Sequence, residues 1–142
     1  MDCRNIWDDI SKFNHETNFL IKFQDKLNWK LLSEYHRFTD EELGIFITIV
    51  DWETVSKYQK LTKEMLVLYA TFVDWDMIAK YQTLSESTIL RFKDRINWEL
   101  LFERKDISNK FKTDNYENFR NFYKLKYVVD DIPSIAKYIF LP

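Results

Sequence analysis

The chain has 142 residues, of which 46% are hydrophobic and 31% charged, a balance typical of one folded domain rather than a disordered protein. Its formal net charge of −2 gives no overall attraction for nucleic acid or anionic membranes, although it does not exclude a local basic patch. Because Cys3 is its only cysteine, the chain forms neither an intramolecular disulfide nor a thiolate metal cluster.

Targeting and membrane-spanning segments are not evident in the sequence. The N-terminus, MDCRNIWDDI, lacks the basic and then apolar order of a signal peptide, and no apolar run approaches the roughly 18 residues needed to cross a bilayer. We therefore expect a soluble, intracellular protein that does not bind membranes.

The amino-acid usage favours helices. The chain has one Gly and two Pro against five Trp, eight Tyr and twelve Phe. Sheet proteins usually need Gly, Asn-Gly or Pro at their turns, so this composition predicts an all-α protein with short connections. Its aromatic side chains must supply much of the packing volume.

A repeat organises the chain. The tryptophans are separated by 22, 23, 23 and 23 residues, and a fixed period of this size is typical of stacked supersecondary units. The third residue after each Trp is aliphatic, the fourth is small in four units, the sixth is aromatic in four units and the seventh is polar. The tryptophans are Trp7, Trp29, Trp52, Trp75 and Trp98, and the tyrosines at the sixth position are Tyr35, Tyr58 and Tyr81.

Each unit is predicted to hold two short helices. An Asp or Asn directly before the Trp is expected to cap the first helix, which runs to about the seventh residue after the Trp. Thr39, Thr62, Ser85 and Ser108 are expected to cap the second helix, which runs to just before the next Asp or Asn, and Thr39 forms a capping box with Glu42. The Trp, third and sixth positions share an arc of about 120° on the first helix. We therefore expect both the tryptophans and the tyrosines to lie in the core.

The end of the chain departs from the period. Regular units are expected over 6–108, an irregular insertion over 109–130, and a terminal capping half-unit over 131–142, where Ile132 replaces the Trp. The predicted fold is an α-solenoid of roughly five and a half stacked two-helix units of about 23 residues, within a single repeat domain, 1–142. Isolated helices this short are unstable in water, so contacts with neighbouring units must stabilise them.

Two segments carry a resemblance to a known family. FLIKFQDKLNW (19–29) and VDWETVSKYQKLTKEM (50–65) resemble tandem Trp-containing helical repeats of uncharacterised proteins from giant DNA viruses and some phages. The resemblance covers 6–98 well and 131–141 in part. It implies a viral repeat protein in the host cytoplasm or nucleus, and it gives no information about catalytic residues.

The sequence offers little for catalysis or metal binding. His36 occupies the polar seventh position and is expected to hydrogen-bond a loop amide, while His15, the other histidine, is expected to serve in a turn. With no Cys pair, no second imidazole at helical spacing and no Gly-rich phosphate loop, we predict no enzymatic activity, no cofactor and no metal.

Two surfaces are candidates for partner binding. One is the solvent rim of the first helices, with Lys57, Lys60 and Lys80. The other is 104–126, where cations interleave with aromatics and either follow a nucleic-acid strand or belong to an amphipathic helix docked on the fifth unit. The tyrosines could alternatively stack on bases, although core packing is the preferred interpretation. The cations of the second surface are Arg104, Lys105, Lys110, Lys112, Arg120, Lys124 and Lys126.

The predicted function is a non-enzymatic protein-interaction module or scaffold, because stacked repeats offer an extended surface that varies while the core repeats. By the viral resemblance, the partner is a host or viral protein. The alternative is a nucleic-acid-binding protein that uses the basic aromatic segment 104–126.

Overall fold

A computed structural model describes residues 5–127, and these form eleven α-helices without a strand. The predicted all-α class is therefore confirmed for this part of the chain. The predicted capping half-unit 131–142 and the end of the insertion, 128–130, lie outside the described residues. The helices are α1 (Ile6–Ile10), α2 (Thr17–Lys22), α3 (Trp29–Tyr35), α4 (Asp40–Ile45), α5 (Trp52–Tyr58), α6 (Lys63–Leu68), α7 (Trp75–Tyr81), α8 (Glu86–Arg91), α9 (Trp98–Phe102), α10 (Asn109–Asp114) and α11 (Tyr116–Tyr127).

The chain divides into two compact units, Met1–Asp74 and Trp75–Pro142, here called the N-unit and the C-unit. In the N-unit, α3 packs on α5; in the C-unit, α7 packs on α9, and α11 packs on α9 and α10. Successive Trp-bearing helices therefore contact each other within each unit. No helix of the described residues has both the length and the apolar character needed to span a membrane.

Four Trp-bearing helices, α3, α5, α7 and α9, begin at the Trp as predicted, whereas α1 begins one residue before it, at Ile6. The side chains of Asn28 and Asn97 accept hydrogen bonds from backbone N–H groups of the first turn of α3 and α9. Asp51 is an exception, because its carboxylate makes no bond to the backbone of α5 and accepts instead from the Thr54 hydroxyl, at 2.8 Å. The prediction that Asp51 caps by a backbone hydrogen bond is thus wrong, although Asp51 still occupies the cap position.

The second helices begin at the predicted caps but end earlier than predicted. Thr39 and Glu42 form the predicted capping box, and the predicted caps of α6, α8 and α10 each accept a backbone N–H. Helices α4, α6 and α8 have six residues each and then give way to a turn. The following tryptophan satisfies a carbonyl freed by that turn, since Trp52 Nε1 donates to the Ile47 oxygen at 2.9 Å. Trp29 and Trp98 make the equivalent bonds to the carbonyls five residues before them.

The tryptophan rings join the two helices of a repeat. Trp29 packs on Phe46 with ring centroids 4.8 Å apart, and Trp52 packs on Tyr69 at 5.4 Å. Trp98 is buried, as expected of a core residue, at 1% exposure. The other four tryptophans are partly buried, so they lie at the edge of the core rather than inside it; these are Trp7, Trp29, Trp52 and Trp75.

The tyrosines at the sixth position are not core residues, and this prediction is wrong. Tyr35, Tyr58 and Tyr81 are 49%, 49% and 47% exposed. The third and fourth positions are fully buried, as Val55 and Ser56 illustrate at 0%. At about 100° per residue these two positions lie about 60° before and 40° after the Trp, whereas the sixth lies about 120° before it. The buried arc is therefore centred near the Trp, and the tyrosines lie at its rim.

The described part of the expected insertion, 109–127, is helical. Helix α10 follows the Ser108 cap and is the second helix of the fifth repeat, and α11 forms one continuous helix after it. Phe119 of α11 is 2% exposed and stacks on Phe102 with ring centroids 4.9 Å apart. The interpretation of this segment as an amphipathic helix docked on the fifth unit is confirmed for the described residues.

Candidate interaction groove

The C-terminal ends of α3 and α5 enclose a groove of about 410 Å³ in the N-unit. Two half-exposed tyrosines, Tyr35 and Tyr58, lie on this groove. We call it the tyrosine groove and define it by its lining residues, Glu34, Tyr35, His36, Arg37, Phe38, Tyr58, Gln59 and Lys60.

Gln59 closes the floor of the tyrosine groove. Its side-chain amide donates to the carbonyls of Ser33 and His36, and its oxygen accepts the Phe38 N–H at 3.1 Å. Gln59 is only 8% exposed. Its polar atoms therefore connect α5 to the chain segment after α3, and they are already used within the fold.

His36 connects the groove to the preceding repeat. Its Nδ1 accepts the backbone N–H of His15 at 3.3 Å, and its Nε2 lies 2.9 Å from Oε2 of Glu42. Because Nδ1 is an acceptor, the ring proton belongs on Nε2, which donates to Glu42. The predicted bond from His36 to a loop amide is confirmed. His15 lies in the connection between α1 and α2, where its own Nε2 bonds the Ile10 carbonyl at 2.7 Å.

Glu42 is the centre of a buried polar cluster beside the groove. It is 5% exposed and accepts hydrogen bonds from the Thr17 hydroxyl at 2.7 Å, from His36 and from the Thr39 N–H at 3.2 Å. Burial alone would raise the pKa of Glu42, but these hydrogen bonds together hold the pKa below its ordinary value. The ionised carboxylate is thus stabilised in the folded state.

The rim of the tyrosine groove carries charges that the fold does not use. Arg37 and Lys60 are exposed, and no side-chain hydrogen bond or ion pair within the described residues engages either group. Glu34 is partly buried on the same rim. Lys57 is partly buried, with its ammonium 4.9 Å from the centroid of the Tyr58 ring, a cation–π distance.

In the C-unit, Lys80 and Tyr81 repeat the arrangement of Lys57 and Tyr58. Lys80 is exposed, and its ammonium lies 5.7 Å from the centroid of the half-exposed Tyr81 ring. The predicted rim cations thus lie beside tyrosines that the spacing assigns to the core. The repeat places an exposed ring and a cation at the same helix end in α5 and α7.

Arg104, predicted as a partner-binding cation, is instead part of the fold of the C-unit. Its guanidinium donates to the carbonyls of Ala79 and Gln82 at 3.0 and 2.7 Å, and it pairs with both carboxylate oxygens of Asp106. The Arg104 guanidinium holds the pKa of Asp106 below its usual value. With its donors engaged, Arg104 is not available to a phosphate or carboxylate of a partner.

Lys112 is likewise a structural residue. It is 6% exposed, its ammonium donates to the Arg104 carbonyl at 2.9 Å, and burial lowers its pKa. Lys110 and Arg120 are accessible but lie in ion pairs with Asp114 and Glu117, at 2.7 and 3.3 Å.

The basic aromatic segment therefore offers less to a nucleic acid than its composition suggests. Phe111 and Phe119 are buried, and other aromatics of the segment pack on the same core. Of the seven predicted cations, Lys105 and Lys124 are exposed, with no ion pair among the described residues. Lys126 lies near the end of α11, and its side chain falls outside the described part.

Metal-ligating side chains are not clustered within the described residues. No group of three or more His, Cys, Asp and Glu side chains among residues 5–127 is arranged to hold a metal. The nearest arrangement to a reactive cluster, His15 with His36 and Glu42, is held by hydrogen bonds to the fold. Comparison with known proteins identifies no relative, since no protein-family model, curated protein or solved structure matches the chain.

Sequence reasoning missed Arg37 and the exposure of the tyrosines. The signal for the tyrosines is present in the sequence, because the small fourth position and the polar seventh position together define a buried arc that leaves the sixth position outside. Arg37 directly follows the seventh position of its repeat, as Lys60 does in the next repeat. The 23-residue period gives no direct sign, however, that a cation at this position borders a groove.

Proposed function

We propose that the chain is a non-enzymatic interaction module and that the tyrosine groove is a site where it binds another protein. The observation that carries the proposal is the half exposure of Tyr35 and Tyr58 on a groove of about 410 Å³. Neither ring is needed to fill the core, and both are accessible to a partner.

Tyrosine is well suited to this role. It is enriched at protein interfaces because its ring supplies apolar contact area while its hydroxyl tolerates water, and it loses little conformational entropy on binding. The recurrence of the same exposed ring at Tyr81 supports a role that the repeat preserves outside the core. The groove floor supports the same role, because Gln59 and His36 are fixed by bonds within the fold and therefore form a preformed surface.

The finer architecture and the origin of the protein are part of this proposal. The 23-residue period and the repeated bonds between successive repeats support an α-solenoid of roughly five and a half units. The resemblance to repeats of giant DNA viruses and phages supports a host or viral protein as the partner, met in the host cytoplasm or nucleus.

The test is an affinity capture that compares groove variants of the full chain. The immobilised wild-type chain, the double variant Tyr35→Ala/Tyr58→Ala and the control Leu68→Ala are incubated with host lysate, and captured proteins are quantified by mass spectrometry. Leu68 is a matched control because it is 62% exposed in the same unit but does not line the groove. We expect a specific partner that the control retains and the double variant loses. Identical captured proteins for all three would contradict the proposal.

Nucleic-acid binding through 104–126 is the weaker alternative, because Arg104 and Lys112 are engaged within the fold. Its test is a gel-shift assay at low salt with single-stranded DNA and RNA. Binding that disappears in Lys105→Glu/Lys124→Glu and weakens steeply with salt would favour this alternative. The absence of any shift would dismiss it.

A further inference from the structure

We propose that the tyrosine groove recognises a short acidic peptide segment, whose carboxylates are bound by Arg37 and Lys60 while an adjacent apolar side chain contacts Tyr35 and Tyr58. This inference rests on the proposed function and names the chemistry of its partner.

The charges of the groove rim carry the inference. Arg37 and Lys60 both line the groove, both are exposed, and neither side chain has a hydrogen bond or ion pair within the described residues. Most cations of the basic aromatic segment, in contrast, are neutralised or bonded by the fold. A guanidinium binds a carboxylate through two parallel hydrogen bonds, and an ammonium adds a compact positive charge.

The surroundings make this positive rim unusual. Residues 1–74, which form the N-unit, contain nine Lys and Arg and thirteen Asp and Glu, a net charge of −4. Arg37 and Lys60 therefore place two unused positive charges on one groove of an acidic unit, beside two exposed aromatic rings. A ligand with a localised negative charge is attracted by Arg37 and Lys60, and it need not extend far over the acidic surface.

The same surroundings favour a peptide over a nucleic acid. A nucleic-acid strand carries a charge at every phosphate and would bring those charges towards Glu34 and the acidic N-unit. A peptide can present one or two carboxylates beside uncharged residues. The volume of about 410 Å³ lies at the small end of the range for ligand pockets, which suits a few residues rather than a folded domain.

The polar floor explains why the contacts are expected at the rim. The side chain of Gln59 is bonded to Ser33, His36 and Phe38, and the His36 ring is bonded to His15 and to Glu42. The groups left for a ligand are the charged ends of Arg37 and Lys60 and the faces of the two tyrosines.

The experiment uses a random-sequence peptide library displayed on bacteriophage and selected on the immobilised full chain. Enriched peptides are synthesised with a fluorescent label, and their affinity is measured by fluorescence anisotropy. We expect enrichment of peptides in which Asp or Glu adjoins an aromatic or aliphatic residue. Arg37→Glu/Lys60→Glu should weaken binding at least about tenfold, as should Tyr35→Ala/Tyr58→Ala.

The control variant is Lys30→Glu/Lys63→Glu, which makes the same change of charge at exposed positions of the N-unit outside the groove. It should leave the affinity within about twofold of wild type, because separated surface charges are screened by salt. Replacing the peptide's acidic residues with Lys should abolish binding to wild type and restore binding to Arg37→Glu/Lys60→Glu.

The outcomes separate this inference from the proposed function. Neutral or basic peptides that depend on Tyr35 and Tyr58 but not on Arg37 and Lys60 would overturn the acidic specificity and leave the proposed function standing. Peptides indifferent to every groove variant, or no enrichment at all, would contradict both. Binding of a labelled single-stranded oligonucleotide that the acidic peptide fails to displace, and that requires the groove residues, would assign the groove to nucleic acid instead.

Discussion

At the scale of single residues, the serine at the fourth repeat position links consecutive repeats. The Ser33 hydroxyl donates to the Trp29 carbonyl at 2.6 Å and accepts the N–H of Asp51, in the next repeat, at 3.1 Å. Ser11 accepts the Asn28 N–H in the same way, at 2.9 Å. The sequence predicts only that this position is small, and its hydroxyl has a function that size alone does not indicate.

Replacing Ser33 with Ala should lower the free energy of unfolding by about 1 to 3 kcal/mol, because it removes the acceptor of a partly buried backbone N–H. Urea denaturation followed by circular dichroism measures the change. Thr48→Ala is the control, since Thr48 is exposed in the same unit and its hydroxyl has no hydrogen bond within the described residues, and its effect should stay within about 0.5 kcal/mol. An equally small effect for Ser33→Ala would show that this hydroxyl does not stabilise the fold.

The Glu42 cluster predicts how stability depends on pH. Since the pKa of Glu42 is lower in the folded protein than its ordinary value of 4.5, the unfolded chain binds the proton more readily. The contribution of Glu42 is therefore fully present above pH 4.5 and is lost as the pH falls through the folded-state pKa. Because glutamine does not titrate, the free energy of unfolding of Glu42→Gln should fall less steeply below that pH than that of the wild type.

The control for this titration is Glu41→Gln, because Glu41 is the exposed neighbour of Glu42. It should keep the wild-type dependence on pH. Chemical denaturation at a series of pH values from neutral downward gives both curves. Identical curves for Glu42→Gln and the wild type would contradict the assignment.

At the scale of elements, two different residue types make the same connection between a repeat and the repeat before it. One is Gln59, within the N-unit, and the other is Arg104, within the C-unit. Gln59 donates to the carbonyls of Ser33 and His36, which are the fourth and seventh positions of the preceding repeat. Arg104 donates to the carbonyls of Ala79 and Gln82, the same two positions of the repeat before its own. Sequence analysis did not find this equivalence, because Arg104 occupies the sixth position and its charge assigned it to the basic segment.

Arg104→Ala should lower the free energy of unfolding by about 1.5 to 3 kcal/mol, because hydrogen bonds from a charged donor are lost and two backbone carbonyls lose their partner. Lys110→Ala removes a cation of the same segment whose side chain is 85% exposed, and its effect should be much smaller than that of Arg104→Ala, because exposed ion pairs contribute little to stability. Thermal and urea unfolding compare the two. Equal effects of the two substitutions would show that the Arg104 hydrogen bonds do not stabilise the fold.

The helix ends show where sequence patterns are informative. The caps of the second helices were predictable, because a hydroxyl directly before a helical pattern can accept a backbone N–H of the first turn. These caps are Thr39, Thr62, Ser85 and Ser108. The early end of those helices was not predictable, since it depends on a carbonyl that bonds the indole of the next repeat. For α11 the sequence left two interpretations open, a docked amphipathic helix and a segment that follows a nucleic-acid strand. The packing of Phe119 on Phe102, which favours the first, is a tertiary contact that the sequence does not reveal.

At the scale of the whole molecule, composition and the repeat together predict the all-α class and the aliphatic third position of the core, but not the groove that the exposed residues border. The scarcity of Gly and Pro together with the 23-residue period is sufficient for the all-α class in the described residues. The tyrosine groove was not foreseen, because the aromatic spacing alone groups Tyr35 and Tyr58 with the tryptophans. The small fourth and polar seventh positions indicate that the tyrosines are exposed, but nothing in the period indicates that the exposed rings border a groove. Their exposure separates two kinds of repeated aromatic, one that stabilises the fold and one that is available to a partner.

The most direct test of this distinction compares Trp52→Ala with Tyr58→Ala, two aromatic truncations in the same helix, α5. Urea denaturation should show that Trp52→Ala lowers the free energy of unfolding by about 3 kcal/mol or more, because it removes the packing on Tyr69 and the bond to Ile47. Tyr58→Ala should change it by less than about 1 kcal/mol, since its ring is 49% exposed. Equal losses for the two variants, or a Trp52→Ala chain with wild-type stability and helical content, would contradict the account.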